Sequence, residues 1–215
     1  MKKLFETKNL STQQIENIIK QESYKHSAAN KISLTREEAS KESRNQDLQY
    51  IKDFFENIES IVCVGCRDES ELQTFLKSNI SAKGIDINQN NSDLILKEDA
   101  ANIEKCFANQ KFDLTYARHS LEHIIDPESF LEGASNISKK GMFIVLPPGI
   151  GPRPGHPTHF DIMKEIIDKD VNSNEMSKIR DILNLLSKEA KEIKLITQPQ
   201  KINKQKKEVV IMIRF

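Results

Sequence analysis

From Glu59 onward the chain alternates short, unbroken apolar runs with segments of helical period. The runs are IVCV at 61–64, AKGIDI at 82–87, DLIL at 93–96, FDLTYA at 112–117 and GMFIVL at 141–146. Continuous rather than alternating hydrophobicity suits strands covered on both faces, and strand–helix alternation implies a parallel sheet with crossover helices. This predicts a doubly wound α/β fold. Further on, SNEMSKIRDILNLLSKEAKE at 173–192 places Met176, Ile179, Ile182 and Leu185 on one helical face. IKLIT at 193–197 and EVVIMIRF at 208–215 follow, joined by a polar turn, and read as an antiparallel hairpin at the sheet edge. Residues 1–56 differ: they hold no Gly or Pro and carry apolar residues at helical spacing, Ile15, Ile18 and Ile19, then Leu48, Ile51, Phe54 and Phe55. They predict helices with a break near 28–34, Thr35 capping the second. The expected organisation is a helical extension over 1–56 and an α/β domain over 57–215.

Composition narrows the function. The 215 residues suffice for one substantial domain rather than two. Lys plus Arg and Asp plus Glu number 32 each, so no global field steers the protein onto nucleic acid or an anionic membrane. No apolar run approaches membrane-spanning length and no signal segment opens the chain, which predicts a soluble, cytoplasmic protein. Three cysteines, Cys63, Cys66 and Cys106, cannot all pair and suggest reduced thiols.

The ordered motifs carry the chemistry. IVCVGCRDESEL is a strand entering a turn at Gly65 and then a helix; a Gly there lets backbone approach a ligand, and the helix offers unpaired N–H groups to a carboxylate. In GIDIN, Asp86 ends the second strand, where a carboxylate can accept from both hydroxyls of a ribose. KEDAAN follows, then FDLTYARHSLEHIIDPESFL, in which Asp126 and Pro127 have the character of an N-cap and a first-turn proline, and then SKKGMFIVLPPG. From Ile61 to Pro148 the order of these elements resembles the class I S-adenosylmethionine (SAM)-dependent methyltransferase family, type 11-like. The resemblance implies a mostly parallel, seven-stranded, Rossmann-like sheet closed by an antiparallel edge hairpin, with SAM as cofactor. It puts Gly65, Cys66 and Arg67 under the methionine part of SAM, Asp86 and Ile87 at its ribose, Asp99 and Ala100 at its adenine, and His119 beside it. The chain departs from the family's alternate glycines, with Arg67 and Glu69 in the second and third places. Asp86 also has the simpler reading of a solvated strand-end acid, Asp99 that of a helix cap, and Arg67 that of a solvated loop residue.

Three features invite other chemistry. HSLEH at 119–123 fits a zinc pattern, but that chemistry needs both histidines on one continuous helix; here the run follows a strand directly and Pro127 restarts a helix just beyond, so no metal is expected. Cys63 and Cys66 form C-x-x-C, yet Cys63 falls inside a buried strand and no second pair exists, so structural thiols are expected. The Pro- and Gly-rich segment LPPGIGPRPGHPTHFD at 146–161 must leave the fifth strand as a loop, at the strand ends that border a ligand crevice. It brings Arg153, His156 and His159 there, and His156 or His159 could take a proton from an acceptor, the alternative being hydrogen bonds to loop backbone. The expected activity is SAM-dependent methylation of a small-molecule or glycan-type hydroxyl or amine. An inactive binding module of the same fold, or another SAM-using enzyme, is the alternative. The helices of 1–56 are expected to cover the acceptor crevice or to pair two subunits as a homodimer.

Overall fold

The computed structural model of the chain describes residues 34–87, 92–124, 126–146, 190–199, 201 and 207–215. Helix α1 (Leu34–Phe54) leads to strand β1 (Ser60–Val64), helix α2 (Glu69–Leu76), β2 (Ser81–Asp86) and the short β3 (Ile95–Lys97). A 3-10 turn (Ala100–Asn102) runs into α3 (Ile103–Cys106), followed by β4 (Phe112–Arg118), a second 3-10 turn (Leu121–His123) and α4 (Pro127–Ile137). The sheet is completed by β5 (Ser138–Leu146), β6 (Glu192–Pro199) and β7 (Lys207–Arg214). The seven strands lie in the order β3-β2-β1-β4-β5-β7-β6. β1 to β5 are parallel, and β7 runs antiparallel to both β5 and β6. The mostly parallel, doubly wound sheet and its edge hairpin are therefore present as expected.

The apolar runs explain the two-sided core. Along β1 every residue from Ile61 to Val64 is buried, but successive side chains serve opposite faces. Ile61 and Cys63 join Leu114, Tyr116 and Phe143 against Leu48, Ile51 and Phe54 of α1 and Leu72 and Phe75 of α2. Val62 and Val64 join Ile85, Met142 and Ile144 against Ile103 of α3 and Phe130, Leu131 and Ala134 of α4. Each such side chain removed from water stabilises the fold by about 1.5–3 kcal/mol before entropy is counted.

Helix boundaries follow local chemistry. Asp126 caps α4, its Oδ1 accepting from the Ser129 N–H at 3.1 Å and its Oδ2 from the Ser129 hydroxyl at 2.7 Å, with Pro127 in the first turn. α1 opens at Leu34, one residue ahead of the expected Thr35 cap, within the usual spread of helix ends. The helices expected before residue 34, and almost all of the one expected over 173–192, lie outside the described residues. Among the described residues no helix is long and apolar enough to cross a membrane.

Candidate active site at the carboxyl ends of the strands

In this strand order the chain turns one way from β1 to β2 and the other way to β4, so the sheet's switch point opens between β1 and β4. The turn after β1 is built there. Gly65 has φ +68°, and a Cβ on it would lie 2.4 Å from the Ser120 hydroxyl oxygen, so both conformation and space require glycine. Ser120 itself donates to the Val64 carbonyl at 2.7 Å and thereby ties the loop after β4 to the end of β1. The Gly65 N–H donates to the Ile85 carbonyl at 2.9 Å. Cys66 turns its sulfur inward: a Cβ on Gly84 would meet it at 2.4 Å. Burial pushes the Cys63 and Cys66 thiols up, with the nearby Glu71 charge adding to the push, so neither is a ready nucleophile.

Arg67 follows with φ +54°, and its backbone N–H donates to Asp86 Oδ2 at 2.9 Å. Asp86, 9% exposed at the end of β2, is thus joined to the β1 turn as one unit. A carboxylate in this place has the acceptor oxygens that the two hydroxyls of a ribose require. The exposed Gly65 backbone beside such a carboxylate suits a ligand that carries both a ribose and an amino-acid end, and in this respect the residues fit SAM. Ile87 continues directly from Asp86, half-buried. Asp99 is engaged locally: its Oδ1 accepts the Ala101 N–H at 2.9 Å and caps the 3-10 turn that begins at Ala100. Burial raises its carboxyl above the ordinary value, against that hydrogen bond.

On the other side of the switch point lies a buried ionic network that sequence reasoning missed. Arg118, at the end of β4, contacts Asp47 Oδ2 of α1 through one guanidinium nitrogen and Glu208 Oε2 of β7 through another, both at 2.6 Å. The Tyr116 hydroxyl donates to Asp47 Oδ2 at 2.9 Å, and the Gln198 amide donates to Glu208 Oε2 at 3.0 Å. Burial raises the Asp47 carboxyl, opposed by Arg118, Tyr116 and Gln198. Burial works against the Arg118 charge, but Asp47, Tyr116 and Glu208 outweigh it and raise the guanidinium's pKa further. Burial would also raise Glu208, yet the His119 contact and Arg118 outweigh it and hold its carboxyl below the usual range.

His119 completes this group, its Nε2 3.1 Å from Glu208 Oε1. His123 Nε2 lies 3.7 Å from Glu122, a carboxyl that burial raises against the pull of His123 and His119. HSLEH therefore forms one 3-10 turn after a left-handed residue, φ +51° at His119, and not the continuous helix that the zinc pattern requires. The structure brings Gly65, Cys66, Arg67, Asp86 and Ile87 together, sets Asp99 and Ala100 just beyond β3, and turns His119 toward β7. His156 and His159, expected to act on the acceptor, and Arg153 beside them lie outside the described residues.

Residues 24–147 of the 215-residue chain match the family described as the methyltransferase domain. No curated protein matches the chain by sequence. Among solved structures, the fold is similar to the plantazolicin methyltransferase BamL in complex with a triazolic desmethylPZN analog and SAH (TM-score 0.57, 12% identity, covering 94% of this chain and 97% of that one). It is similar also to magnesium protoporphyrin IX methyltransferase of Synechocystis PCC 6803 with bound SAM (TM-score 0.52, 9% identity, 86% of each chain). A third likeness is to a SAM-dependent methyltransferase of Archaeoglobus fulgidus (TM-score 0.50, 16% identity, 81% of this chain and 94% of that one). At these identities the likeness is one of fold. With more than half of its length matched, and the sheet order and switch-point turn in place, the chain belongs to the methyltransferase domain family and is a SAM-dependent methyltransferase of the class I fold.

Proposed function

We propose that the chain methylates a hydroxyl or amine of a small-molecule or glycan-type acceptor. In this reading the backbone of Gly65, Cys66 and Arg67 and the side chain of Asp86 hold SAM, with Ile87, Asp99 and Ala100 along its adenosine and His119 beside it. The observation that carries the reading is the hydrogen bond from the Arg67 N–H to Asp86, which makes the ligand-facing turn and the ribose acid one rigid unit at the switch point. SAM supplies an electrophilic methyl group on a sulfonium. The chain's own part is to align the acceptor, exclude water and take up a proton. His156 and His159, in the segment that follows β5, are the histidines that the sequence nominates for the acceptor side. The 1–56 extension caps the crevice or pairs two subunits, and α1 supports the first role because its Asp47 is part of the network at the strand ends.

Calorimetry with SAM and SAH tests this reading. Both are expected to bind, SAH at least as tightly as SAM. Absence of binding by the folded protein would leave the fold as an inert module. The plantazolicin methyltransferase BamL holds a triazolic desmethylPZN analog together with SAH, and density beside the sulfur in an SAH-soaked crystal is the direct route to the acceptor here.

A further inference from the structure

The buried network ends in an imidazole whose two nitrogens stand in different surroundings. His119 adopts φ +51°, a left-handed conformation that is disfavoured for a residue bearing a Cβ. Its N–H donates to the Val145 carbonyl of β5 at 2.8 Å, and its Nε2 lies 3.1 Å from Glu208 Oε1, an ion-pair contact whose angles fall short of a hydrogen bond. The side chain is 31% exposed, whereas Nε2 itself is fully shielded. Glu208 has little freedom: Arg118 and Gln198 both donate to Oε2, and Arg118 is pinned in turn by Asp47. The oxygen left toward His119 is Oε1. An ionised carboxylate only accepts and would repel a bare nitrogen lone pair 3.1 Å away, so it favours the imidazole tautomer with the proton on Nε2 and the lone pair on Nδ1. The charged groups about the ring are Glu208 from β7, whose other oxygen holds Arg118 of β4, and Glu122 from the 3-10 turn. The imidazole thus belongs to the β5–β7 half of the crevice, opposite Asp86 and Asp99 on the β2–β3 half.

We propose that His119, rather than His156 or His159, is the proton acceptor of the methyl transfer, standing beside SAM without holding it, and that Glu208 is the positioning residue that fixes its tautomer. The proposal rests on the reading that the acceptor is a hydroxyl or amine, and it gives that acceptor a requirement: its nucleophilic atom enters carrying a proton. In the step, the lone pair of the acceptor oxygen or nitrogen forms the new bond to the methyl carbon, and the carbon–sulfur pair leaves with sulfur. The acceptor's proton passes to Nδ1. The resulting imidazolium has its Nε2–H beside the Glu208 carboxylate, whose buried charge stabilises the charged ring.

Two measurements decide it. In protein labelled with 15N-histidine, long-range proton–nitrogen spectra at alkaline pH report which ring nitrogen of His119 carries the proton, the signals being assigned by their loss in His119→Asn. The expected result is Nε2–H with a bare Nδ1, changing to a mixture of tautomers in Glu208→Gln. An Nδ1–H tautomer of His119 in the unaltered protein overturns the proposal. Calorimetry with SAH then separates acceptor side from cofactor side: His119→Asn is expected to keep its affinity within about threefold, and a loss of about tenfold or more would place His119 in the cofactor site and overturn the proposal. If the unaltered protein binds no SAH, the methyl-transfer reading fails and this proposal with it; SAH binding with the wrong tautomer sinks the proposal alone.

Discussion

Arg67 stands where the family pattern has a glycine, and it adopts a glycine's backbone, φ +54°, with its N–H on Asp86. The substitution therefore changes the cost of the turn rather than its path. Arg67→Gly is expected to raise stability by about 1 kcal/mol, measured by chemical denaturation, because the left-handed residue no longer carries a Cβ. If the guanidinium also grips the cofactor carboxylate, SAH affinity in the same variant falls. Asp86→Ala has the reverse profile. It is expected to weaken SAH binding by about 1.5–3 kcal/mol, the scale of hydrogen bonds to a charged group, with a smaller effect on folding. Unchanged affinity in calorimetry would remove Asp86 from the ribose site.

The elements differ in what they ask of their polar residues. Asp126 only caps α4 at the surface, and Asp126→Ala should cost about 1 kcal/mol and disturb nothing else. Asp47 lies wholly buried in α1 against Arg118, and Asp47→Ala should cost about 3–5 kcal/mol by leaving that guanidinium buried without one of its two carboxylates. Thermal unfolding of the two variants side by side checks the contrast. The strands were legible because unbroken apolar runs have no other use in a chain this polar, and the α4 cap because Asp-Pro has a specific local meaning. Asp47 was missed, although it shares the stripe of Leu48, Ile51, Phe54 and Phe55, where an acid is out of place. Arg118, Gln198 and Glu208 were not legible. They meet only because β7 enters the sheet between β5 and β6, a pairing that no hydrophobic period encodes.

At the scale of the whole molecule, buried acids pull the pH dependence of stability in opposite directions. Desolvation pushes the Glu71 carboxyl up to about 8 from an ordinary 4.5, against the pull of Arg44 and Arg118 and helped by Asp47 and Asp68. Between those two values the folded chain holds a proton that the unfolded chain has lost, so this group's contribution to stability falls as pH rises and levels off above about 8. Glu71→Gln is therefore expected to raise the Tm most at and above that upper value and least toward acid pH, as a pH series of melting curves would record. Glu208, held low, contributes stability above the ordinary carboxyl range and loses it as pH falls through its own depressed value. The interleaved edge of the sheet has a further consequence, for the growing chain. β6 is synthesised before β7 but, among the described residues, pairs only with it, so in a nascent chain that has reached residue 199 neither β5 nor β6 yet has the partner that β7 gives it. Chains stalled there should be readily cut by protease and prone to aggregate. Emergence of residues 207–214 then closes the sheet and delivers Glu208 beside His119 in one event, so the imidazole's alignment waits on the strand that joins the two halves of this edge.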